Sequence, residues 1–298
     1  MRRRIFIALA PLALLLASPS AAFALNINEN YKPQNEFKLD PWINLPGPFD
    51  INKAVVYILM ATALTTWTMV YVAKRMQERP NRVQTAVEAA FTLMRDTITR
   101  TNMDETMAAK WFPFIGALFL FIWFSNMLGY LPLPTNTEHK VDIFGAHIPS
   151  FALYAATANL SVPLTLTILV WFSYHFEGIR AKGVTKYVKG WIPAGVEGPA
   201  AGPIFVIEAL SHFMRLISLS VRLFANILAG HLLILFMGGG LVVLLNLAAG
   251  ASVVAGLLTG AMAVAFFLLE VGLIATLQAF IFSTLTAIYL GGAVAEEH

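Results

Sequence analysis

Long apolar runs separated by short polar segments dominate the chain after residue 52. Residues 53–73, 111–131 and 151–174 each form a run of about twenty mostly apolar residues, the length that crosses a bilayer as a helix. Two longer stretches, 203–247 and 251–291, would each extend about 60 Å as helix, twice the thickness of the hydrocarbon layer. Either each stretch breaks into pieces or both are steeply inclined. The triple glycine 238–240 is the one credible break. We favour the other alternative, a long, strongly tilted hairpin.

A weaker pattern precedes the second run. In residues 81–110, apolar side chains recur at helical spacing among charged ones, which predicts an amphipathic helix that either lies on the membrane surface or packs on the spans. The fold class predicted is therefore an all-α integral membrane protein. It has about five membrane-embedded helices plus this surface helix.

The first 52 residues differ from the rest. Residues 1–24 combine three arginines, a short apolar core and a small-residue site at Ala22 and Ala24, the layout of a signal peptide cleaved after Ala24. The alternative is a first transmembrane helix, for which the run is short. Residues 25–52 are polar and proline-rich and are predicted to be an extracytoplasmic segment, and residues 53–298 form a single membrane domain.

Composition and charge position support this interpretation. The chain is 58% hydrophobic and only 12% charged, against about 25% charged in soluble domains. Segments 74–110 and 180–189 are rich in lysine and arginine, whereas the loop 132–150 carries only Lys140, so the positive-inside rule places residue 25 outside and residue 298 inside. With no cysteine, disulfide, zinc-thiolate and iron–sulfur chemistry are excluded. The net charge of +3 is small and does not indicate nucleic-acid binding.

Ionisable residues inside the stretch 203–247 are the main functional signal, because a charge at bilayer depth costs at least ~2.5 kcal/mol. Helical spacing puts one set of polar side chains on one face and His231 about 180° from Arg222; the set is Glu208, His212, Arg215, Arg222 and Asn226. Arginine cannot lose its proton, so Arg222 is a fixed charge suited to attracting a carboxylate. Its partner is either on another protein or internal, at Glu270 or Gln278.

Two more groups carry candidate chemistry. A hairpin turning near residues 246–250 sets His231 and Glu270 at comparable depth, where they either exchange protons or form a fixed hydrogen-bonded pair. Glu208, Ser211 and His212 form a third cluster, for which the alternative is interfacial snorkelling. Asn126 and Asn159 are expected to cap or join helices.

Several other chemistries lack support. There is no HExxH motif and no phosphate-binding glycine loop, and His212 and His231 lie on different faces, unlike paired haem ligands. No metal or cofactor is expected. Two alternative functions remain at this stage, a self-contained cation:proton transporter with Arg222 paired internally and a structural scaffold.

The residues of this stretch resemble a known family. The run from Glu208 and Ser211 through SLSVRLFAN (218–226) to Ala229-Gly230-His231, followed by LQAFIF (277–282), resembles subunit a of F-type ATP synthases. Asn126-x-x-Gly129-x-x-Pro132 and the Asn159 span are also similar, so the resemblance covers roughly residues 50–298.

The resemblance implies a non-catalytic subunit of the bacterial inner membrane. Its two last helices would cradle the rotating c-ring, and the peripheral-stalk subunit b, the lipid bilayer and translocated protons would be its other partners. Two offset half-channels are implied. Arg222 would face the ring carboxylate with Gln278 nearby, Glu208 would lie toward the cytoplasmic half-channel, and His231 and Glu270 toward the outer one.

The chain departs from the family pattern at three places. His231 and Glu270 stand in swapped positions compared with some members, as in the mitochondrial type. Glu270 is eight residues before Gln278, whereas that type places the glutamate seven before, and one residue is about 100° of helix. A local π-bulge between the two would restore the direction of Glu270. Asn159 stands where bacterial members often have Asp. Its amide, unlike a carboxyl group, cannot carry a proton.

Overall fold

The computed structural model describes residues 37, 39, 41–43, 50–75, 82–133, 140–143, 146–149, 153–192, 196, 198–240 and 249–295. The described α-helices, in chain order, are α1 (Lys53–Arg75), α2 (Arg82–Thr92), α3 (Glu105–Gly129), α4 (Ser161–Lys182), α5 (Val184–Lys189), α6 (Ala201–Leu235), α7 (Ala249–Leu269) and α8 (Ala275–Val294). Three π-helical segments continue α2, α6 and α7, at Leu93–Thr99, Phe236–Gly240 and Glu270–Ile274. Short 3₁₀ turns occur at Ala156–Ala158 and Gly198–Ala200.

Two small antiparallel strand pairs accompany the helices. β1 (Pro41–Ile43) pairs with β2 (Ile51–Asn52), and β3 (Lys140–Ile143) pairs with β4 (Ala146–Pro149). Both pairs fall in segments predicted to lie outside the membrane. They do not change the helical character of the fold.

The all-α membrane class is confirmed. Within the described residues, four helices are long and apolar enough to cross a membrane: Lys53–Lys74, Glu105–Gly129, Gly198–Gly238 and Ser252–Val294. The last two are 41 and 43 residues long, which confirms the prediction of two long C-terminal helices. The hairpin turn near 246–250 and the signal peptide 1–24 lie outside the described residues, apart from the helical start of α7 at Ala249.

The predicted third span, 151–174, has the wrong limits. Helix α4 begins only at Ser161, because the side-chain oxygen of Asn159 accepts hydrogen bonds from the backbone N–H and hydroxyl of Ser161 and so caps the helix start. It then continues to Lys182 through a segment predicted as a loop, and α4 is not among the four spans. Helix α5 follows directly after Gly183, at φ +77°.

Tertiary contacts explain why α4 extends so far. Buried Glu177 accepts a hydrogen bond from Lys110 of α3, and the Nδ1 atom of His175 lies 2.8 Å from the hydroxyl of Tyr187 on α5. Polar residues that look like a loop in sequence thus each have a hydrogen-bonding partner on another helix.

The larger of two compact units comprises Gln34–Leu232 and Phe266–His298. In it α8 packs against α3 and α4, and α1 packs against α3. Its main core is apolar and draws on α3, α4, α6, α8 and the π segment after α2, with fully buried side chains that include Ile98, Ile115, Ile122, Val170, Leu223, Ile227, Phe282 and Leu290. Close packing also reaches the backbone, since a Cβ on Gly291 of α8 would overlap the carbonyl oxygen of Asn102.

The second unit contains residues 233–265 with the N-terminal 33 residues, and its described part is 233–240 and 249–265. It holds the end of α6, the π-helical segment Phe236–Gly240 and most of α7. The triple glycine, which was the one credible place for a break, is therefore helical, with π rather than α geometry.

Candidate functional site

Arg222 lies exposed on α6, with Asn226 exposed one turn later. Large apolar side chains make up the exposed side of α6 next to Arg222, namely Val206, Ile207, Leu210, Phe213, Met214, Ile217 and Val221. Within the described part of the chain, Arg222 forms no ion pair and no hydrogen bond, so the internal pairing with Glu270 or Gln278 is not found. A permanent cation thus stands on a membrane-spanning face without a partner among the described residues.

A buried row along α6 turns away from Arg222 by about 40° every four residues and ends in His231. Leu219, Leu223 and Ile227 are buried one after another along it, and His231 is 0% exposed. Arg222 is exposed and His231 is buried, so the two side chains point in different directions, as their spacing predicted. His212, predicted to share the Arg222 face, is instead buried, and at about 100° per residue it lies about 80° around the helix from Arg222.

Both ring nitrogens of His231 face carbonyl oxygens. Nε2 lies 3.0 Å from the carbonyl oxygen of Gly129, and Nδ1 lies 3.0 Å from that of Ile227. A neutral imidazole carries one N–H and can donate to only one of them, whereas an imidazolium donates to both. Each ring nitrogen of His231 therefore has a carbonyl oxygen within hydrogen-bond distance.

Glu270 is connected to His231 through a tyrosine. The hydroxyl of Tyr130, at the end of α3, donates to Oε2 of Glu270 at 2.9 Å, and the Tyr130 ring stacks on His231 with centroids 4.6 Å apart. Sequence reasoning set the histidine beside the carboxylate and missed this tyrosine. The one indication of Tyr130 in the sequence was that it lies in the segment from Asn126 to Pro132, which resembles the family.

The carboxyl group of Glu270 also rests against a glycine. A Cβ built on Gly230 would overlap the carboxyl carbon and both carboxyl oxygens, so the side chain occupies space that only glycine leaves free. Glu270 is 7% exposed. Its position is thus determined from three sides, by Gly230, by Tyr130 and by its own backbone.

That backbone is π-helical. The segment Glu270–Ile274 lies between Glu270 and Gln278, and a π turn holds about one more residue than an α turn. The eight-residue spacing therefore gives nearly the direction that seven residues give in a plain α-helix, as the π-bulge prediction required. Gln278 itself is buried, and within the described residues no hydrogen bond joins it to Arg222.

Side chains of α3 bond to the helix just after the π segment. The amide of Asn126 donates to the carbonyl oxygen of Ala275 at 3.2 Å and accepts from the hydroxyl of Thr157 at 2.7 Å. The indole of Trp123 donates to the hydroxyl of Thr276 at 3.1 Å. The expectation that Asn126 and Asn159 cap or join helices is confirmed.

The third cluster is assembled near the start of α6. Oε1 of Glu208 lies 3.4 Å from a guanidinium nitrogen of Arg215 and 3.8 Å from Nε2 of His212. Nδ1 of His212 lies 3.2 Å from the hydroxyl of Tyr174, and Ser211 is partly buried on the same turn. These contacts go beyond side chains that only snorkel.

A cavity of about 270 Å³ opens at this cluster. Its walls combine charged and aromatic side chains from four helices, α4, α5, α6 and α8, and the segment after α5, including Lys182, Glu208, His212, Arg215, Tyr187, Trp191 and Tyr289. Burial raises the pKa of Tyr187, so its hydroxyl stays neutral. The cavity is large enough for several water molecules and has polar groups to bind them.

Within the described residues, no group of three or more histidine, aspartate or glutamate side chains could hold a metal ion.

Comparison with known proteins places the chain among named relatives. A family model described as ATP synthase A chain matches residues 55–291. The chain is 32% identical over 270 residues to ATP synthase subunit a of Bradyrhizobium diazoefficiens, covering 89% of this chain and 98% of that protein. It is 34% identical to ATP synthase subunit a of Campylobacter hominis, with 84% and 95% covered, and 36% identical to that of Maricaulis maris, with 81% and 88% covered.

Proposed function

This chain belongs to the family of ATP synthase subunit a, and on that premise we propose that it conducts protons to and from the rotating c-ring through two half-channels. Proton flow through them would drive rotation and so ATP synthesis in a separate catalytic head. The chain itself would make no ATP.

The observation that carries this proposal is Arg222, which lies exposed beside the apolar side of α6 and has no ion pair or hydrogen bond with any residue that the structure describes. Since a guanidinium stays charged, such a group is stabilised by a carboxylate that another protein brings to this face. A c-ring carboxylate passing Arg222 would be held in its ionised form, because a nearby cation favours that form. Arg222 would also repel protons and so block a direct leak between the half-channels.

The outer half-channel would lie on the buried side of α6. A proton arriving from outside would pass His231 and Glu270 and neutralise a ring carboxylate, which could then rotate into the lipid. The support is the burial of both groups and the two carbonyl oxygens that face the nitrogens of His231.

The inner half-channel would begin at the cavity beside Glu208, Ser211 and His212. After nearly a full turn, the ring carboxylate would release its proton there. Asn226, exposed one turn from Arg222, and the buried Gln278 would provide polar side chains near the ring interface.

The setting in the membrane is part of the proposal. The chain would be a multi-pass protein of the bacterial inner membrane, with residue 25 outside after signal cleavage and residue 298 in the cytoplasm. Subunit b of the peripheral stalk would be its second protein partner. Protease digestion of tags at the two ends in sealed vesicles tests this orientation, which exposure of residue 298 on the outer side would contradict.

Arg222→Ala tests the central step. ATP-driven proton pumping and passive proton leak are measured in vesicles that contain each variant. We expect pumping to be lost and leak to rise, while hydrolysis by the detached head is unchanged. Arg222→Gln should behave alike because it lacks the charge, and Arg222→Lys should be largely inactive because a desolvated lysine can lose its proton.

Arg180→Ala is the matched control, since Arg180 is exposed in the last turn of α4. It should pump normally. Normal coupled pumping by Arg222→Ala would refute the mechanism and return the transporter and scaffold interpretations to consideration.

A further inference from the structure

Tyr130 occupies the space between the two titratable groups of the outer path. It follows the last residue of α3, is 3% exposed, and contacts His231 with its ring and Glu270 with its hydroxyl. An edge-on contact with Phe267, at 5.9 Å between centroids, closes another side of the ring. The ring therefore has little freedom to turn away.

The hydrogen bond from Tyr130 has a defined direction. An ionised carboxylate only accepts hydrogen bonds, so the phenol must donate to Oε2 of Glu270. A buried carboxylate that lacks such a donor is costly, because burial removes it from water. The hydroxyl thus stabilises the ionised form of Glu270 over the protonated form.

The same contact sets where the carboxyl group lies. The Glu270 side chain is flexible. On one side, Gly230 limits the position of its carboxyl group. The bond to Tyr130 holds the carboxyl group against Gly230, the residue next to His231. Among the described residues, the titratable group in contact with Glu270 is Tyr130, just after α3, and His231 of α6 stacks on the ring of Tyr130.

We propose that Tyr130 is a positioning residue of the outer proton path, whose hydroxyl holds the Glu270 carboxylate beside Gly230 and sets how readily Glu270 gives up its proton. It acts through Glu270 and carries no proton itself. This inference rests on the proposed function, since it assumes that protons pass Glu270.

The test is Tyr130→Phe in the complete synthase. Phenylalanine keeps the ring stacked on His231 and removes only the hydroxyl. In inverted vesicles the lumen corresponds to the outer side, so ATP synthesis is followed after acid–base transitions that start from different lumen pH values. Rates are normalised to the amount of synthase in the vesicles, so that reduced assembly does not enter the comparison.

We expect the pH dependence on the lumen side to shift toward higher pH by about one unit, which corresponds to losing one hydrogen bond to a charged group. The sign follows from the bond, because a carboxylate without its donor holds its proton more tightly. Adding Tyr130→Phe to Glu270→Gln should change nothing further, since Tyr130 acts through Glu270.

Tyr57→Phe is the matched control. Tyr57 is a fully buried tyrosine of α1 whose ring packs on Tyr154, away from Glu270. It should leave the pH profile where it is in the unmodified synthase.

Three outcomes would decide against the inference or its premise. An unshifted profile in Tyr130→Phe overturns it, and so does a lower rate without a shift, which would indicate a purely structural contact. Full coupled pumping by Glu270→Gln would instead overturn the proposed outer path itself. If Glu270→Gln is inactive while Tyr130→Phe is unshifted, only the role of Tyr130 fails.

Discussion

Gly230→Ala adds one methyl group at the point where α6 touches the Glu270 carboxyl group. The added carbon would overlap the carboxyl carbon and both oxygens. Ordinary contact between such atoms is about 3.5 Å, so the carboxyl group must move by about 1 Å or more. A shift of that size away from Gly230 breaks or lengthens the 2.9 Å hydrogen bond from Tyr130.

The energetic effects separate stability from function. Overpacking costs about 1–3 kcal/mol, and the low end applies because a flexible side chain can yield. Replacing a glycine inside a helix by alanine stabilises the helix by up to about 1 kcal/mol, so the protein should still fold. The lost bond to a charged group is worth about 1.5–3 kcal/mol, which corresponds to a tenfold or larger fall in proton-driven ATP synthesis if Glu270 lies on the path.

The assay compares ATP synthesis and ATP-driven pumping in vesicles, normalised to assembled synthase. Gly202→Ala is the matched control on the same helix, because a Cβ there meets nothing within 4 Å. We expect it to behave like the unmodified protein. Unchanged synthesis by Gly230→Ala would show that the position of the Glu270 carboxyl group is irrelevant to transport.

Two further substitutions test the packing that holds the site. Asn126→Leu removes the hydrogen bonds to the Ala275 carbonyl and from Thr157 and should destabilise the protein by about 1–3 kcal/mol, seen as a lower thermal midpoint in detergent; an unchanged midpoint would contradict this. Gly291→Ala places a methyl group on the backbone of Asn102, which cannot move as a side chain can, and should lower the midpoint by a similar amount. The neighbouring Gly292→Ala meets nothing within 4 Å and should be neutral or stabilising, so equal effects of the two substitutions would contradict the argument.

Local sequence patterns were sufficient for the helices and for the directions of side chains within one helix. Long apolar runs predicted the spans at 53–73 and 111–131 because burying backbone in a membrane requires helix, and the structure has helices there. Arg222 and His231 could be placed on opposite faces because nine residues at about 100° each return the chain half a turn away. The limits of α4 were missed because contacts of Asn159, His175 and Glu177 decided them.

The sequence by itself determined that this is a helical membrane protein with a charged residue on an apolar helix face, since both depend on composition and periodicity along one segment. Only the tertiary structure decided that Tyr130 joins His231 and Glu270, residues 101 and 140 positions away along the chain. No local pattern encodes such a contact, because it depends on how α3, α6 and the π segment pack together. The π geometry that sets the direction of the Glu270 side chain likewise depends on tertiary packing. One extra residue in a helix can be absorbed in several places, and the contacts that α3 makes just after the segment, through Asn126 and Trp123, favour this one.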